Sequence, residues 1–194
     1  PPQIAPWQVV ILPMLRGDEG DGALLEYCDL LKTTAALEWA WDEKLRVLLD
    51  SRPGKAATKR WDWVRRGAPI IIEVGPRDME HGRVSLLRRD RLWNDAGKPD
   101  FASPQREEAT GSLTEILVDI QDSMFAEAAS RRDALIERGI ADFDQLAAFF
   151  GEDRRYPGWA EVQWARPTGA ELDKVVERLK ALKLTFRNVP AQAE

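Results

Sequence analysis

The stretch at residues 68–90, A-P-I-I-I-E-V-G-P-R-D-M-E-H-G-R-V-S-L-L-R-R-D, constrains the fold more than any other. Pro69 is unfit for a helix interior, because it lacks an N–H and its ring clashes with the turn before it. The β-branched run Ile70-Ile71-Ile72 leading into Glu73-Val74 therefore predicts a buried strand. Gly75-Pro76 stops it, a polar turn carries Arg77, Asp78 and Glu80, and Gly82 opens a second strand over 83–89. Two strands across a short polar turn predict an antiparallel hairpin. Glu73 interrupts an otherwise apolar strand just ahead of the charged turn. Its carboxylate is either trim on a half-exposed strand or an acceptor aimed at a ligand.

Upstream, Val9, Val10, Ile11 and Leu12 predict an opening strand that exits through Pro13. The loop at 16–22, R-G-D-E-G-D-G, is acidic and lacks the Gly-Lys-Ser/Thr ending of a phosphate cradle. From 23 to about 42, Leu24, Tyr27, Cys28, Leu31, Ala35 and Trp39 recur at helical spacing, and 45–49 (Leu-Arg-Val-Leu-Leu) reads as a second strand. The β-α-β unit so formed predicts a parallel return with a right-handed crossover. Arg52-Pro53-Gly54 is a turn and 56–66 a short helix, whose Trp61 and Trp63 read as core or helix cover, with base stacking as the alternative.

Beyond Asp90, residues 93–110 are polar and read as a loop or domain boundary. Ser112-Leu113-Thr114-Glu115 has the form of a capping box. It opens a helix with Ile116, Leu117, Ile120, Met124, Phe125 and Ala128 on one face, running to about Arg138, where Gly139 ends it. A short helix at 142–150, an alternating strand at 159–164, an amphipathic helix at 170–183 and a last strand at 184–189 make a small separate α/β unit.

With 194 residues there is material for one large or two small domains. No long apolar run or signal-peptide pattern is present, so a soluble intracellular protein is expected. The chain opens Pro-Pro-Gln-Ile without Met, as a segment of a longer protein would. One cysteine, Cys28, excludes an internal disulfide and a cysteine-rich metal site, and its apolar helical setting predicts a buried, inert thiol. His81 is the only histidine, so a serine- or cysteine-type triad has no support. The net charge is −5, against indiscriminate nucleic-acid binding. Residues 52–91 nevertheless hold eleven Lys or Arg against five Asp or Glu, +6, which leaves −11 for the remainder. This basic concentration is either a local RNA-facing surface or a solvated face.

Gly67-Ala68-Pro69, Glu73-Val74-Gly75-Pro76-Arg77-Asp78 and Arg88-Arg89-Asp90 together resemble the anticodon-binding domain of the prolyl-tRNA synthetase family, in its archaeal and eukaryotic-like branch. The pattern there is G-x-P, E-x-G-P-[RK]-D, R-R-D. Ile4-Ala5-Pro6-Trp7-Gln8-Val9-Val10 is similar to the family's opening strand, Arg52-Pro53-Gly54 to its mid-domain turn, and residues 184–190 to its final strand. Between Gly54 and Trp63 the chain is a few residues longer than the family's P-G-x-K-[FY]-x-x-W, so either Lys59 or Lys55 could match the lysine.

The resemblance implies an α/β fold: a mixed-sheet anticodon-binding domain at 1–105, a connecting helix at 106–138 and a small α/β domain at 139–194. It implies readout of the proline anticodon, with Glu73 and Asp78 as acceptors for guanine edges, Arg77 and one of Arg88 or Arg89 as donors to bases or phosphates, and Lys59 or Lys55 on a phosphate. Catalysis, with its ATP, would belong to a separate catalytic domain, and no cofactor is expected in this segment. The implied partners are tRNA(Pro), that catalytic domain and a second copy in a full-length homodimer, all cytoplasmic. Family members often hold zinc in the C-terminal unit with cysteines at positions that here read Ala165 and Asn188. Four nitrogen or sulfur ligands cannot be assembled from one Cys and one His, so that unit would rest on Trp159, Trp164, Leu172, Val176, Leu179 and Phe186 instead. The alternative function is a protein-interaction or dimerisation module of anticodon-binding-like fold without tRNA recognition.

Overall fold

The computed structural model describes residues 1–151, 157–163 and 167–185. The chain divides into two compact units, Pro1–Glu127 and Ala128–Glu194. In the first unit the order is β1 (Val9–Pro13), α1 (Asp21–Ala35), a small hairpin of β2 (Trp39–Ala40) and β3 (Glu43–Lys44), β4 (Val47–Leu49), α2 (Ala56–Arg65) and β5 (Ile70–Val74). A one-turn helix α3 (Pro76–Glu80) follows, then β6 (Ser85–Arg88), β7 (Phe101–Ala102), α4 (Arg106–Gly111) and α5 (Leu113–Ala134), which runs on into the second unit.

Five strands form one mixed sheet in the order β4-β1-β5-β6-β7. β1 lies between β4 and β5 and is parallel to both, while β6 and β7 add antiparallel. Every residue of β1 and β5 is buried, as continuous aliphatic strands covered on both faces should be. One face presents Val9, Ile11, Ile70, Ile72 and Leu86 to Leu24, Cys28 and Leu31 of α1, Ala109 of α4, and Leu113, Leu117 and Ile120 of α5. The other presents Val10, Leu12, Ile71 and Leu87 to Trp63 and Val64 of α2 and to Ala68. Burial pushes the Cys28 thiol up to about 12, the state of an inert core sulfhydryl.

The predicted hairpin at 70–89 is β5 and β6, paired from Ile70↔Arg88 to Glu73↔Ser85. Its turn is helical rather than open: Pro76 fills the first helical position and Asp78 Oδ2 accepts from the Gly75 N–H at 2.8 Å. The first helix stops at Ala35, short of the expected 42. Trp41 and Asp42 take φ of 50° and 64° and form the two-residue loop between β2 and β3, the left-handed pair that a tight hairpin requires. The polar stretch at 93–110 is not a boundary. The Asn94 side chain folds it by accepting from the amides of Ala96 and Lys98, after which it supplies β7 and α4 to the first unit. The capping box at 112–115 is also corrected. Ser112 closes α4 and its hydroxyl donates back to the Glu108 carbonyl at 2.8 Å, since helical turns already precede it.

In the second unit the long helix ends at Ala134, not near Arg138. Ile136–Ile140 is a strand, β8, parallel to β9 (Trp159–Val162). The Trp159 N–H donates to the Leu135 carbonyl at 2.8 Å. Gly158, at φ 114°, makes this approach feasible, because a Cβ there would stand 2.1 Å from that oxygen. α6 (Phe143–Phe149) is capped by Asp142, whose carboxylate accepts from the amides of Asp144 and Gln145, and α7 (Ala170–Ala181) follows. Of the side chains expected to hold this unit, Leu179 is buried and Val176 half-buried, whereas Trp159 and Leu172 are exposed; Leu146, not foreseen, is buried. Trp164, Ala165, Phe186 and Asn188 lie outside the described residues, as does most of the expected last strand. Among the described residues no helix is long and apolar enough to cross a membrane.

Candidate functional site

α1 crosses from β1 to β4 on one face of the sheet and α2 crosses from β4 to β5 on the other. The strand order therefore reverses between β1 and β5, and sheets of this kind take ligands outside the carboxyl ends of their strands at such a point. Three buried charged groups collect towards that end on the α2 face: Asp50 after β4, Glu73 near the end of β5, and Arg60 on α2. Lys59, also buried, adjoins them.

Glu73 follows Ile71 on the α2 face, beside Leu12 on β1 and Ser85 on β6. It is only 2% exposed, which removes the reading of trim on a half-exposed strand. Its Oε1 accepts from Arg60 Nη1 at 2.8 Å, and among the described residues no donor meets Oε2. Burial pushes the Glu73 carboxyl above its ordinary range, against the opposing pull of Arg60. Arg60 is itself 9% exposed and packs against two rings, its guanidinium carbon 5.1 Å from the Trp61 centroid and 5.2 Å from that of Phe101. Trp61 in turn stacks on Trp93 at 4.7 Å and 20°. The Arg60 Nε–H is buried with no hydrogen-bond partner among the described residues.

Asp50 anchors the neighbouring corner. Its carboxylate accepts from Arg52 at 2.8 and 2.7 Å and from the Trp63 indole N–H at 2.7 Å. The Arg52 bonds, with that of Trp63, hold its carboxyl well below the usual range. Lys59 Nζ donates to the carbonyls of Asp50 and Arg52, both at 3.0 Å, and burial pushes its ammonium pKa down.

Of the residues singled out in the sequence, Glu73, Lys59 and Arg89 lie on the α2 side, Arg89 donating to the Val64 carbonyl. Arg88 does not join them. Its register opposite Ile70 turns it to the α5 side, where it donates to Asp90 at 3.0 and 2.8 Å and to Asp119 at 2.6 Å. Arg77 is exposed on α3, Asp78 is half-buried and caps that turn, and Lys55 is exposed at the N-cap of α2. Trp63 is core and Trp61 half-buried cover.

Sequence reasoning missed Arg60, Asp50 and the Trp61–Trp93 stack. One signal was available for Arg60. With Lys59 four residues before Trp63, Arg60 falls where the P-G-x-K-[FY]-x-x-W pattern has an aromatic residue. Asp50 and Trp93 carry no local mark, since Trp63 and Trp61 reach them only when α2 packs against the sheet.

The family described as anticodon binding domain matches residues 8–95, from the start of β1 to just beyond β6. The chain is 53% identical over 194 residues to the proline–tRNA ligase of Novosphingobium aromaticivorans, an alignment that covers all of this chain and 38% of that protein. It is 56% identical over 191 residues to the proline–tRNA ligase of Erythrobacter litoralis, covering 98% of this chain and 37% of that one. For the proline–tRNA ligase of Bdellovibrio bacteriovorus the figures are 34% over 196 residues, 100% and 37%. The chain thus spans well under half the length of these curated relatives. The matches run through both units, and the anticodon binding match lies on the sheet that buries the Arg60–Glu73 pair: the chain belongs to the proline–tRNA ligase family.

Proposed function

We propose that this chain reads the anticodon of proline tRNA as part of a proline–tRNA ligase. The observation that carries this reading is the coincidence of the anticodon binding match at 8–95 with the segment at 52–91, whose charge is +6 in an otherwise acidic chain. Anticodon bases are single-stranded and can be splayed out, stacked and read on their Watson–Crick edges. Proline anticodons carry two adjacent guanines, whose edges present N–H donors that a carboxylate matches. Glu73 offers Oε2 for this and Asp78 is the second acceptor. Arg77 and Lys55, both exposed, meet the RNA without rearrangement. Arg88, Arg89 and Lys59 are already engaged inside the fold and reach RNA only by exchanging those partners. A buried acceptor discriminates strongly, because the wrong base leaves it desolvated and unpaired. Amino-acid activation with ATP, the contact with a catalytic domain, dimerisation and a cytoplasmic location belong to the longer ligase in this reading.

The test compares binding of proline tRNA with the same tRNA in which one anticodon guanine is replaced by adenine. The wild-type chain is expected to favour the guanine by about 1–3 kcal/mol. Glu73→Gln should lose that preference while retaining weak background binding, with a lowered melting temperature because the buried Arg60 loses its counter-charge. Equal binding of both tRNAs by wild type refutes the reading.

A further inference from the structure

Resting on the anticodon reading, we propose that Arg60 is a positioning residue for Glu73: it occupies one carboxylate oxygen and leaves the other, charged and fixed in direction, as the acceptor for a guanine edge. Among the described residues Arg60 has no other polar partner. Its Nη1 meets Glu73 Oε1 at 2.8 Å, its Nε–H is buried without an acceptor, and its guanidinium lies against Trp61 and Phe101. The stack of Trp93 on Trp61 backs one of those rings. An arginine so enclosed fixes the torsion of the carboxylate it holds, in the manner of a planar donor that loses little freedom on pairing.

The groups that face Glu73 from the packed elements are Arg60 and Lys59 from α2, Asp78 from α3, Leu12 from β1 and Ser85 from β6. Lys59 is committed to the carbonyls of Asp50 and Arg52, and Asp78 to the Gly75 amide. Arg60 is therefore the cation bonded to this carboxylate. Without it, burial and the Asp78 charge both favour the protonated acid. A protonated carboxyl turns a hydroxyl toward the guanine N–H groups, so donor meets donor and the readout fails. Loss of the arginine raises the carboxyl pKa further, so guanine preference is lost at a higher pH than in the wild type and returns as the pH is raised through the new value.

The experiment uses the full 194-residue chain with Arg60→Gln, which removes the charge but keeps a polar side chain of similar reach, and Arg60→Lys, which keeps the charge. The Glu73 carboxyl is titrated by carbon NMR in the free proteins, its signal assigned by its absence in Glu73→Gln. Binding of guanine and adenine anticodons is measured across the same pH range. Arg60→Gln is expected to move the Glu73 midpoint up by about one to three pH units and to move the pH below which guanine preference is lost up with it. Arg60→Lys should move the midpoint less and keep most of the preference. An unchanged midpoint in Arg60→Gln overturns the proposal whatever the RNA shows, as does a raised midpoint with full, pH-independent guanine preference. A raised midpoint when wild type itself shows no guanine preference overturns the anticodon reading and leaves the pairing of Arg60 with Glu73 standing. Should Arg60→Gln not fold, the titration is read on Arg60→Met, which also removes the charge and keeps an unbranched stem, and an unmoved midpoint there has the same force.

Discussion

The two faces of the sheet in the first unit are built from alternate residues of the same strands, yet they solve different problems. Toward α1, α4 and α5, Ile11, Ile70, Ile72 and Leu86 belong to a buried cluster of aliphatic side chains and Cys28, edged by Tyr27, Trp41 and two methionines, and at its margin Arg88 ties Asp90 to Asp119. Toward α2 the apolar cluster is smaller, and Asp50, Glu73, Lys59 and Arg60 are buried beside it. Burying charge costs several kcal/mol per ion unless each finds a partner, and a well-packed apolar replacement is often as stable. The first face therefore reads as the one that holds the fold, and the second as the one where stability has been given up for a fixed arrangement of donors and acceptors.

The sharpest way to break this contrast uses neighbouring residues of β5. Ile72 is fully buried on the α1/α5 face and Ile71 equally buried on the α2 face. Ile72→Ala should cost about 2–5 kcal/mol in denaturant unfolding. Ile71→Ala should fall at the low end of that range, because the long stems of Lys59 and Arg60 can settle into the void. An equal or larger loss for Ile71→Ala would mean that the α2 face is the packed core after all.

Asp50→Ala is expected to cost about 1–3 kcal/mol at pH 7, the cost of leaving the Trp63 indole N–H without its acceptor and Lys59 without its counter-charge. Its pH dependence has a definite sign. The Asp50 carboxyl is held below its unfolded value, so its stabilisation is present above about pH 4 and is lost as the pH falls below that. The gap between wild type and Asp50→Ala should narrow through that acid range. Glu73 runs the other way: with its pKa raised on folding, its ionisation takes stability away as the pH rises through the window above its unfolded value. A gap for Asp50→Ala that stays constant from pH 7 to pH 3 would show that the aspartate acts through shape and not charge.

The smallest effect belongs to Trp93→Ala. Trp93 is more than half exposed and is held by its stack on Trp61, worth about 0.5–1.5 kcal/mol. Thermal unfolding should register a loss of that size and no more. A larger loss would make the stack part of the core and not a cover over Arg60.

Much of this architecture was legible. Ile70-Ile71-Ile72 after Pro69 could be little else than a strand, and Gly75-Pro76 marked its end. The hairpin at 39–44 was not legible, because Trp39 stays in phase with the preceding helix and Trp41-Asp42 lacks the Gly or Asn that announces such a loop. β8 was hidden for a related reason. Ile-Glu-Arg-Gly-Ile has no alternation and continues a helical pattern, and only pairing with a segment some twenty residues away makes it a strand. Among the site residues, Glu73 stood out because a carboxylate in an apolar strand is a local anomaly. Arg88 and Arg89 looked equivalent, although adjacent positions on a strand must point to opposite faces.

By itself the sequence determined the family, the first parallel β-α-β return and the antiparallel hairpin that carries Glu73, because these follow from motifs, turn chemistry and short-range periodicity. Tertiary structure alone decided what each charge does. Arg60 meets Glu73 across thirteen positions, Asp50 meets Trp63 across the same number, and Arg88 meets Asp119 across thirty-one. The free energy of a buried charge is set by the groups packed around it and by the absence of water. Neither quantity exists until α2 and α5 have closed on the two faces of the sheet.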